Sequence, residues 1–278
     1  MAIERFIGID LAWAPGGPRT KPNETGVAVI DRSGEVLDCG WTRGLEETMS
    51  WLDAVAVDGA SLCFVDASLV VDNPTGQRPC EREVGRRYGR WKVSANSTNQ
   101  RSPRLAGVLL RERLRAMGWV YDDGRAGPPT GGLVLSECYP YTTLVGAAEL
   151  GYDRERPPYK RRPARVPQAQ WRAVRAGECD RLIARMAGLA TADPPLVLAS
   201  HAVSGRLMDE PTPLASGDYK HREDLVDALL CAWTAALWSR HGLARCQVLG
   251  EESPAPPGAA ATIIAPARPE QRRDRRAE

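Results

Sequence analysis

The sequence predicts an α/β protein whose mixed central sheet combines a three-strand antiparallel meander with parallel strands and carries helices on both faces. Two apolar runs, 25–31 and 35–41, flank the tight turn Arg32-Ser33-Gly34, which is typical of a β-hairpin. A segment with helical apolar spacing, 46–56, then separates this hairpin from another buried strand, 61–66. A helix between two buried strands favours a crossover to a parallel neighbour.

The first element is a strand over 6–13, apolar on both faces, which we expect to pair with the hairpin as a meander. Asp10 interrupts this strand, and an ionised Asp is rarely buried unless it is paired or binds a metal. The alternative is that Asp10 ends the strand and begins a turn into the Gly/Pro-rich segment 14–18. The role of Asp10 therefore depends on which side chains the later elements place beside it.

Beyond the fourth strand, basic polar segments alternate with regular elements. Apolar patterns predict helices over 103–117, 140–150, 168–189 and 216–240, and strands over 132–137, 196–199 and 245–249. We expect a single domain over 1–250, with basic insertions near 73–104 and 153–165. The insertion 153–165 is Pro-rich and predicts an irregular loop. A Pro/Arg-rich tail over 251–278 is expected to be disordered.

The composition is that of an ordinary soluble protein. The 278 residues are 43% hydrophobic and 26% charged, with a net charge of +2. The seven cysteines are odd in number and include no CxxC pair, which argues against a zinc site or a disulfide framework. Neither a signal peptide nor a run of 18 apolar residues is found. We therefore expect a cytoplasmic location and no membrane association.

Five acids stand where a ligand site would form. Asp10, Asp66 and Glu137 each lie near the C-terminal end of a predicted strand, and open α/β sheets bind ligands beyond those ends. Asp224 and Asp227 are three residues apart and share one helix face. The following turns are apolar nearly all round, which indicates a helix packed in the interior. The alternative is that both acids only favour the positive end of the helix dipole.

Several carboxylates in one pocket repel each other unless a cation lies between them. Oxygen ligands suit Mg²⁺ or Mn²⁺, and a pair of such ions roughly 3.5–4 Å apart promotes phosphodiester hydrolysis. We therefore expect Asp10, Asp66, Asp224 and Asp227 to bind metal. Together with Glu137 they are the predicted catalytic residues of a nuclease.

Four further residues are candidates for substrate binding. Arg78 and Glu81 follow the Asp66 strand, and Arg78 suits bidentate phosphate binding; the alternative is a surface Arg–Glu pair. Lys160 stands in a basic loop that could clamp a nucleic-acid backbone; the alternative is a solvated loop. His221 precedes Asp224 by one turn and is a candidate proton shuttle, or simply an exposed His at a helix start.

Six short motifs occur along the chain. They are Gly8-Ile9-Asp10-Leu11-Ala12-Trp13, Val65-Asp66-Ala67, Gly76-Gln77-Arg78-Pro79-Cys80-Glu81, Glu137-Cys138-Tyr139-Pro140, Tyr159-Lys160 and Asp224-Leu225-Val226-Asp227-Ala228-Leu229. In order and spacing, residues 3–250 resemble an uncharacterised family of predicted nucleases with an RNase H-like fold, known as domain of unknown function 429. Within that fold, the acidic helix pair is similar to the Holliday-junction resolvase branch. The family often has Asp-Ala-Pro-Leu where this chain has Ser68 in place of Pro. The resemblance implies a nuclease, with nucleic acid as its partner.

Two other functions remain open. The same core fold hosts sugar-kinase-like and actin-like ATPases, which need a Gly-rich phosphate hairpin after the first strand and a second copy of the domain. Gly16-Gly17 is a poor version of that hairpin, and the chain leaves little room for two copies. The second is a non-catalytic protein that binds nucleic acid or another ligand. The sequence also leaves the substrate and a homodimer open.

Overall fold

A six-stranded mixed sheet forms the centre of the computed structural model, which describes residues 2–13, 21–103, 105–256 and 258–272. The strands are β1 (Arg5–Asp10), β2 (Glu24–Ile30), β3 (Val36–Arg43), β4 (Ala60–Val65), β5 (Val120–Tyr121) and β6 (Gly132–Glu137). Their order is β3-β2-β1-β4-β6-β5. The first three form the antiparallel meander, and β4, β6 and β5 run parallel to β1. The predicted mixed sheet is confirmed, and it is consistent with an RNase H-like fold.

Helices cover both faces of this sheet. They are α1 (Gly44–Val55), α2 (Pro79–Tyr88), α3 (Ala106–Ala116), α4 (Pro140–Gly146), α5 (Trp171–Ala187), α6 (Ala202–Asp209), α7 (Ser216–His241) and the single turn α8 (Pro269–Arg272). On one face, the hydroxyl of Thr42 in β3 lies 2.7 Å from that of Thr48 in α1. Thr42 pairs with Thr25 in β2, so both side chains lie on the face that α1 covers. The next residue, Gly26, faces α7, and because side chains alternate along a strand, α7 covers the opposite face. None of the described helices is both long and apolar enough to span a membrane.

Helix α7 is the interior helix that the apolar pattern predicts, with every residue from Arg222 to Trp238 buried. It crosses the sheet at two glycines. A Cβ atom on Gly8 would lie 2.0 Å from the Ala228 carbonyl oxygen, and one on Gly26 would lie 2.0 Å from that of Asp224. Only glycine permits so close an approach between the helix and strand backbones. This contact sets the acidic turn of α7 against the end of β1.

The C-terminal segment differs from the expected disordered tail. Strand β7 (Cys246–Leu249) pairs antiparallel with β8 (Ile263–Pro266) in a separate two-stranded sheet. Residues 261–268 are buried. The segment begins with several prolines, which favour disorder, but a short apolar run follows them. This run forms a strand because β7 supplies its backbone hydrogen-bond partners. The predicted disorder is therefore wrong for this stretch, and residues 273–278 lie outside the described residues.

Other elements depart from the sequence pattern in smaller ways. The strand expected over 196–199 is wrong: Leu198–Ser200 is a 3₁₀ turn, and Val197 alone bridges to Glu35. The basic insertion contains α2, which was not predicted because its apolar residues are few. Helix α6 and the two-residue β5 were also missed. The loop over 153–165 contains no helix or strand, as expected.

Candidate metal centre

Three aspartates converge at the C-terminal ends of β1 and β4. Asp10 ends β1, and Asp66 follows Val65, which pairs with Ile9. The two acids are therefore side by side on the face covered by α7, from which Asp227 approaches. One carboxylate oxygen from each of the three lies within 4.8 Å of the others, and all three side chains are buried. The structure thus brings together residues that are 217 positions apart in the sequence.

The donor set fits a divalent cation. Among the described residues, the Oδ2 atom of Asp10 is buried and has no hydrogen-bond partner. A buried carboxylate oxygen without a partner carries a large desolvation cost, which a cation would offset. Carboxylate oxygens are the ligands that Mg²⁺ and Mn²⁺ prefer. Asp10, Asp66 and Asp227 can therefore hold such an ion.

Glu137 does not join this cluster, although it also ends a strand. It pairs with Val65, one position short of Asp66, so its side chain points to the opposite face of the sheet. Cys138 takes the place in line with Asp66, and its Sγ lies 3.3 Å from that of Cys231 on α7. A one-residue difference in register therefore separates Glu137 from the other strand-end acids.

Glu137 instead belongs to a buried ion-pair network with Arg78 and Glu81. Arg78 donates two hydrogen bonds to the Glu137 carboxylate, at 2.6 and 2.8 Å, and a third from Nε to Glu81 at 2.9 Å. The other Glu81 oxygen accepts from the backbone N–H of Thr98. Arg78 is 1% exposed, so it does not face the cleft as expected for a phosphate ligand. The Arg–Glu pair considered as the alternative is present, but it is buried and ties α2 to β6.

Asp224 lines the same cleft as the aspartate cluster and forms an ion pair with Lys220 on the preceding turn. Lys220 also lies 3.0 Å from Glu223. Burial, followed by the charge of Asp10, raises the pKa of Asp224 to about 8 and that of Asp66 to about 7. Both burial and the neighbouring negative charge disfavour the ionised form of these carboxyl groups, and the nearby lysines offset this only in part.

Lys160 reaches into the cluster rather than standing in a solvated loop. Its ammonium forms an ion pair with Asp227 and lies 3.6 Å from Glu223. The neighbouring Tyr159 is fully buried and donates a hydrogen bond to Asp227 Oδ1 at 2.7 Å. The Tyr219 hydroxyl in turn donates to the Tyr159 carbonyl. Lys160 is thus held beside the carboxylates by anchored neighbours.

A cleft of about 390 Å³ opens onto these acids. Its wall includes three cationic and three aromatic side chains, Lys160, Arg161, Lys220, Trp13, Tyr139 and Tyr141. A cleft lined by both carboxylates and cations can hold a metal ion together with an anionic substrate.

Family comparison agrees with the motifs seen in the sequence. The family described as "Protein of unknown function (DUF429)" matches residues 8–253. The chain belongs to this family. The match spans every candidate site residue, and the resemblance noted from the motifs is confirmed. No curated protein and no solved structure matches the chain.

His221 lies outside the cleft of this DUF429 protein. Its ring stacks on Trp41, with centroids 3.5 Å apart, and its Nδ1 lies 2.7 Å from the Glu24 carboxylate. The side chain is 44% exposed, which corresponds to the exposed helix-start His considered as the alternative.

Sequence reasoning missed Lys220, Glu223 and the hydroxyl of Tyr159. Lys220 precedes Asp224 by four residues on a predicted helix, and that spacing is a signal for an ion pair. Glu223 carries no comparable signal, and Tyr159 is marked only by the Tyr159-Lys160 motif, because their roles depend on the loop over 153–165 folding back onto α7.

Proposed function

We propose that this DUF429 protein hydrolyses phosphodiester bonds of nucleic acid with a divalent ion, Mg²⁺ or Mn²⁺, held by Asp10, Asp66 and Asp227. The convergence of these three buried carboxylates, with oxygens within 4.8 Å, is the observation that carries the proposal. Asp10 Oδ2 supports it, because this oxygen has no hydrogen-bond partner in the part of the chain that the structure describes and is available to a cation.

The bound ion would activate a water molecule and offset negative charge on the phosphoryl group. The chain itself holds the carboxylates at the ends of two strands and on a helix, which are more rigid than loops. Lys160, Arg161 and Lys220 on the cleft wall favour a phosphate backbone over a neutral substrate. Hydrolysis forms a bond from the water oxygen to phosphorus and breaks a P–O ester bond, and the leaving oxygen gains a proton.

Aromatic side chains in the cleft favour nucleic acid over a simple phosphate ester. Trp13 and Tyr139 are half-buried in its wall, beside the more deeply buried Tyr141. Aromatic rings of this kind stack on unpaired bases, and they tolerate different sequences because every base has a π-face. The proposal therefore includes single-stranded segments among the substrates to be tested first.

The test compares wild type with Asp10→Asn on single- and double-stranded DNA and RNA, in Mg²⁺, Mn²⁺ or EDTA. Asp53→Asn is the control, because Asp53 is an exposed acid on α1. We expect wild type and the control to cleave at least one substrate in a metal-dependent manner, and Asp10→Asn to lose more than about 100-fold of that activity. Equal activity in Asp10→Asn, or none in any protein, would refute the proposal.

The ATPase alternative has no specific support. Gly16-Gly17, the candidate phosphate hairpin, falls outside the described residues. Mn²⁺ binding without cleavage of any nucleic acid would instead favour the non-catalytic alternative. The proposal also keeps the cytoplasm as the expected location, because the cysteine pattern argues against a disulfide framework.

A further inference from the structure

We propose that the aspartate cluster takes one divalent ion, and that the ammonium group of Lys160 supplies the positive charge that a second ion provides in two-metal nucleases. This inference rests on the proposed function and narrows it, since the sequence pattern alone suggests a pair of ions. It makes Lys160 a catalytic residue that contacts the substrate phosphate.

The first support is the position of Lys160. Its ammonium forms an ion pair with Asp227, one of the three candidate metal ligands, and lies 3.6 Å from Glu223. Its side chain is only 20% exposed, and it lines the cleft.

The second support is that the surrounding loop holds Lys160 in place. The hydroxyl of Tyr159 binds Asp227, and the carbonyl of Tyr159 accepts from a buried tyrosine on α7. At the start of the loop, the indole N–H of Trp91 donates to the Asp153 carbonyl at 3.0 Å, and the Arg156 N–H donates to the Trp91 carbonyl at 3.0 Å. These contacts hold the loop, and Lys160 with it, against α7 and the segment around Trp91.

The third support is the small number of carboxylates that remain to bind a second ion. Within the described part of the chain, one group of three metal-ligating side chains brings its ligand atoms close together, and that group is Asp10, Asp66 and Asp227. Three other acids line the cleft. Asp224 and Glu223 already contact the ammonium groups of Lys220 and Lys160, and Glu24 forms an ion pair with Arg43. Two lysines together carry the charge of one divalent ion, and they occupy the acids that a second ion would need.

Lys160 and the first ion compete for Asp227. The Tyr159 hydroxyl binds Oδ1 of this carboxylate and the Lys160 ammonium contacts Oδ2, so an ion held by Asp227 would compete with Lys160. Its charge would repel the ammonium, which has Glu223 as a second partner 3.6 Å away in the cleft wall. From there the lysine would act on a substrate phosphate as a point charge.

Calorimetric titration with Mn²⁺ tests this directly, without depending on activity. Wild type should bind one Mn²⁺ per chain at the cluster, and Lys160→Gln should bind the first ion at least about tenfold more tightly and then accept a second. Lys160→Arg keeps the charge and should retain one ion. Lys92→Gln, at an exposed lysine paired with Glu155, should behave as wild type. Hydrolysis by Lys160→Gln should fall although its metal occupancy rises.

Two Mn²⁺ ions in wild type, or an unchanged affinity in Lys160→Gln with the fold intact by circular dichroism, would overturn the inference while leaving a nuclease possible. Absence of Mn²⁺ binding in wild type would overturn the proposed function as well. Binding of one ion without cleavage of any nucleic acid would refute the nuclease, and with it the catalytic role of Lys160.

Discussion

Replacing Asp66 by Asn should stabilise the metal-free protein at pH 8 and abolish its stabilisation by Mn²⁺. Asp66 is buried and close to Asp10 and Asp227, so its negative charge is unfavourable until a cation binds. Asn has nearly the same shape and carries no charge. This single substitution therefore distinguishes the destabilisation caused by the Asp66 charge from the role of Asp66 in binding metal.

The size of the gain follows from the pKa of Asp66, which burial and Asp10 raise from 3.8 to about 7. A carboxyl group whose pKa is raised by folding favours the folded state below its unfolded pKa, and this benefit is lost as the pH rises through the folded value. The pKa rises by about 3, and a rise of 1 corresponds to about 1.4 kcal/mol, so Asp66→Asn should raise the free energy of unfolding by about 4 kcal/mol at pH 8. At pH 5 the same linkage leaves only about 1–2 kcal/mol.

Urea unfolding in EDTA at pH 5 and pH 8 measures both values, and thermal unfolding with added Mn²⁺ measures the lost metal response. Glu137→Gln is the contrast, because Glu137 is also buried but is paired with Arg78. Removing its charge leaves the buried guanidinium without one of its two carboxylate partners and should cost about 3 kcal/mol or more. An Asp66→Asn variant that is no more stable than wild type at pH 8, or whose melting temperature Mn²⁺ still raises, would contradict this prediction.

Two further substitutions test how the fold supports the site. Gly26→Ala places a Cβ 2.0 Å from a carbonyl oxygen of α7. It should lower the free energy of unfolding in urea by about 3 kcal/mol or more and weaken Mn²⁺ binding. Gly40→Ala is the control, because the space around its Cβ is open, and it should be tolerated in the same urea and Mn²⁺ titrations. Tyr159→Phe removes the hydrogen bond to Asp227 and should cost about 1.5–3 kcal/mol in urea unfolding. Tyr152→Phe is its control, because that hydroxyl is buried without a hydrogen-bond partner among the described residues, and equal losses in the two variants would contradict this reading.

Much of the fold was predictable because hydrophobic patterns act locally. The meander, the parallel strand that ends at Glu137 and the interior helix α7 all follow from runs and spacings of apolar residues. The candidate metal ligands Asp10, Asp66 and Asp227 were predictable for the same reason, since an acid in an apolar element stands out. Strand β8 was missed because a strand also needs a partner, and its partner β7 lies beyond a Pro-rich segment.

Local sequence patterns therefore indicate which acids belong to buried elements and which ends of those elements they occupy. Which of these acids meet depends on the folded structure. Glu137 and Asp66 look equivalent in sequence, yet strand register places them on opposite faces, because side chains alternate at every residue. Lys160 looks like one charge in a basic loop, yet the packing of Tyr159 sets it among the carboxylates. Register and loop docking depend on contacts between distant residues, which no local pattern records.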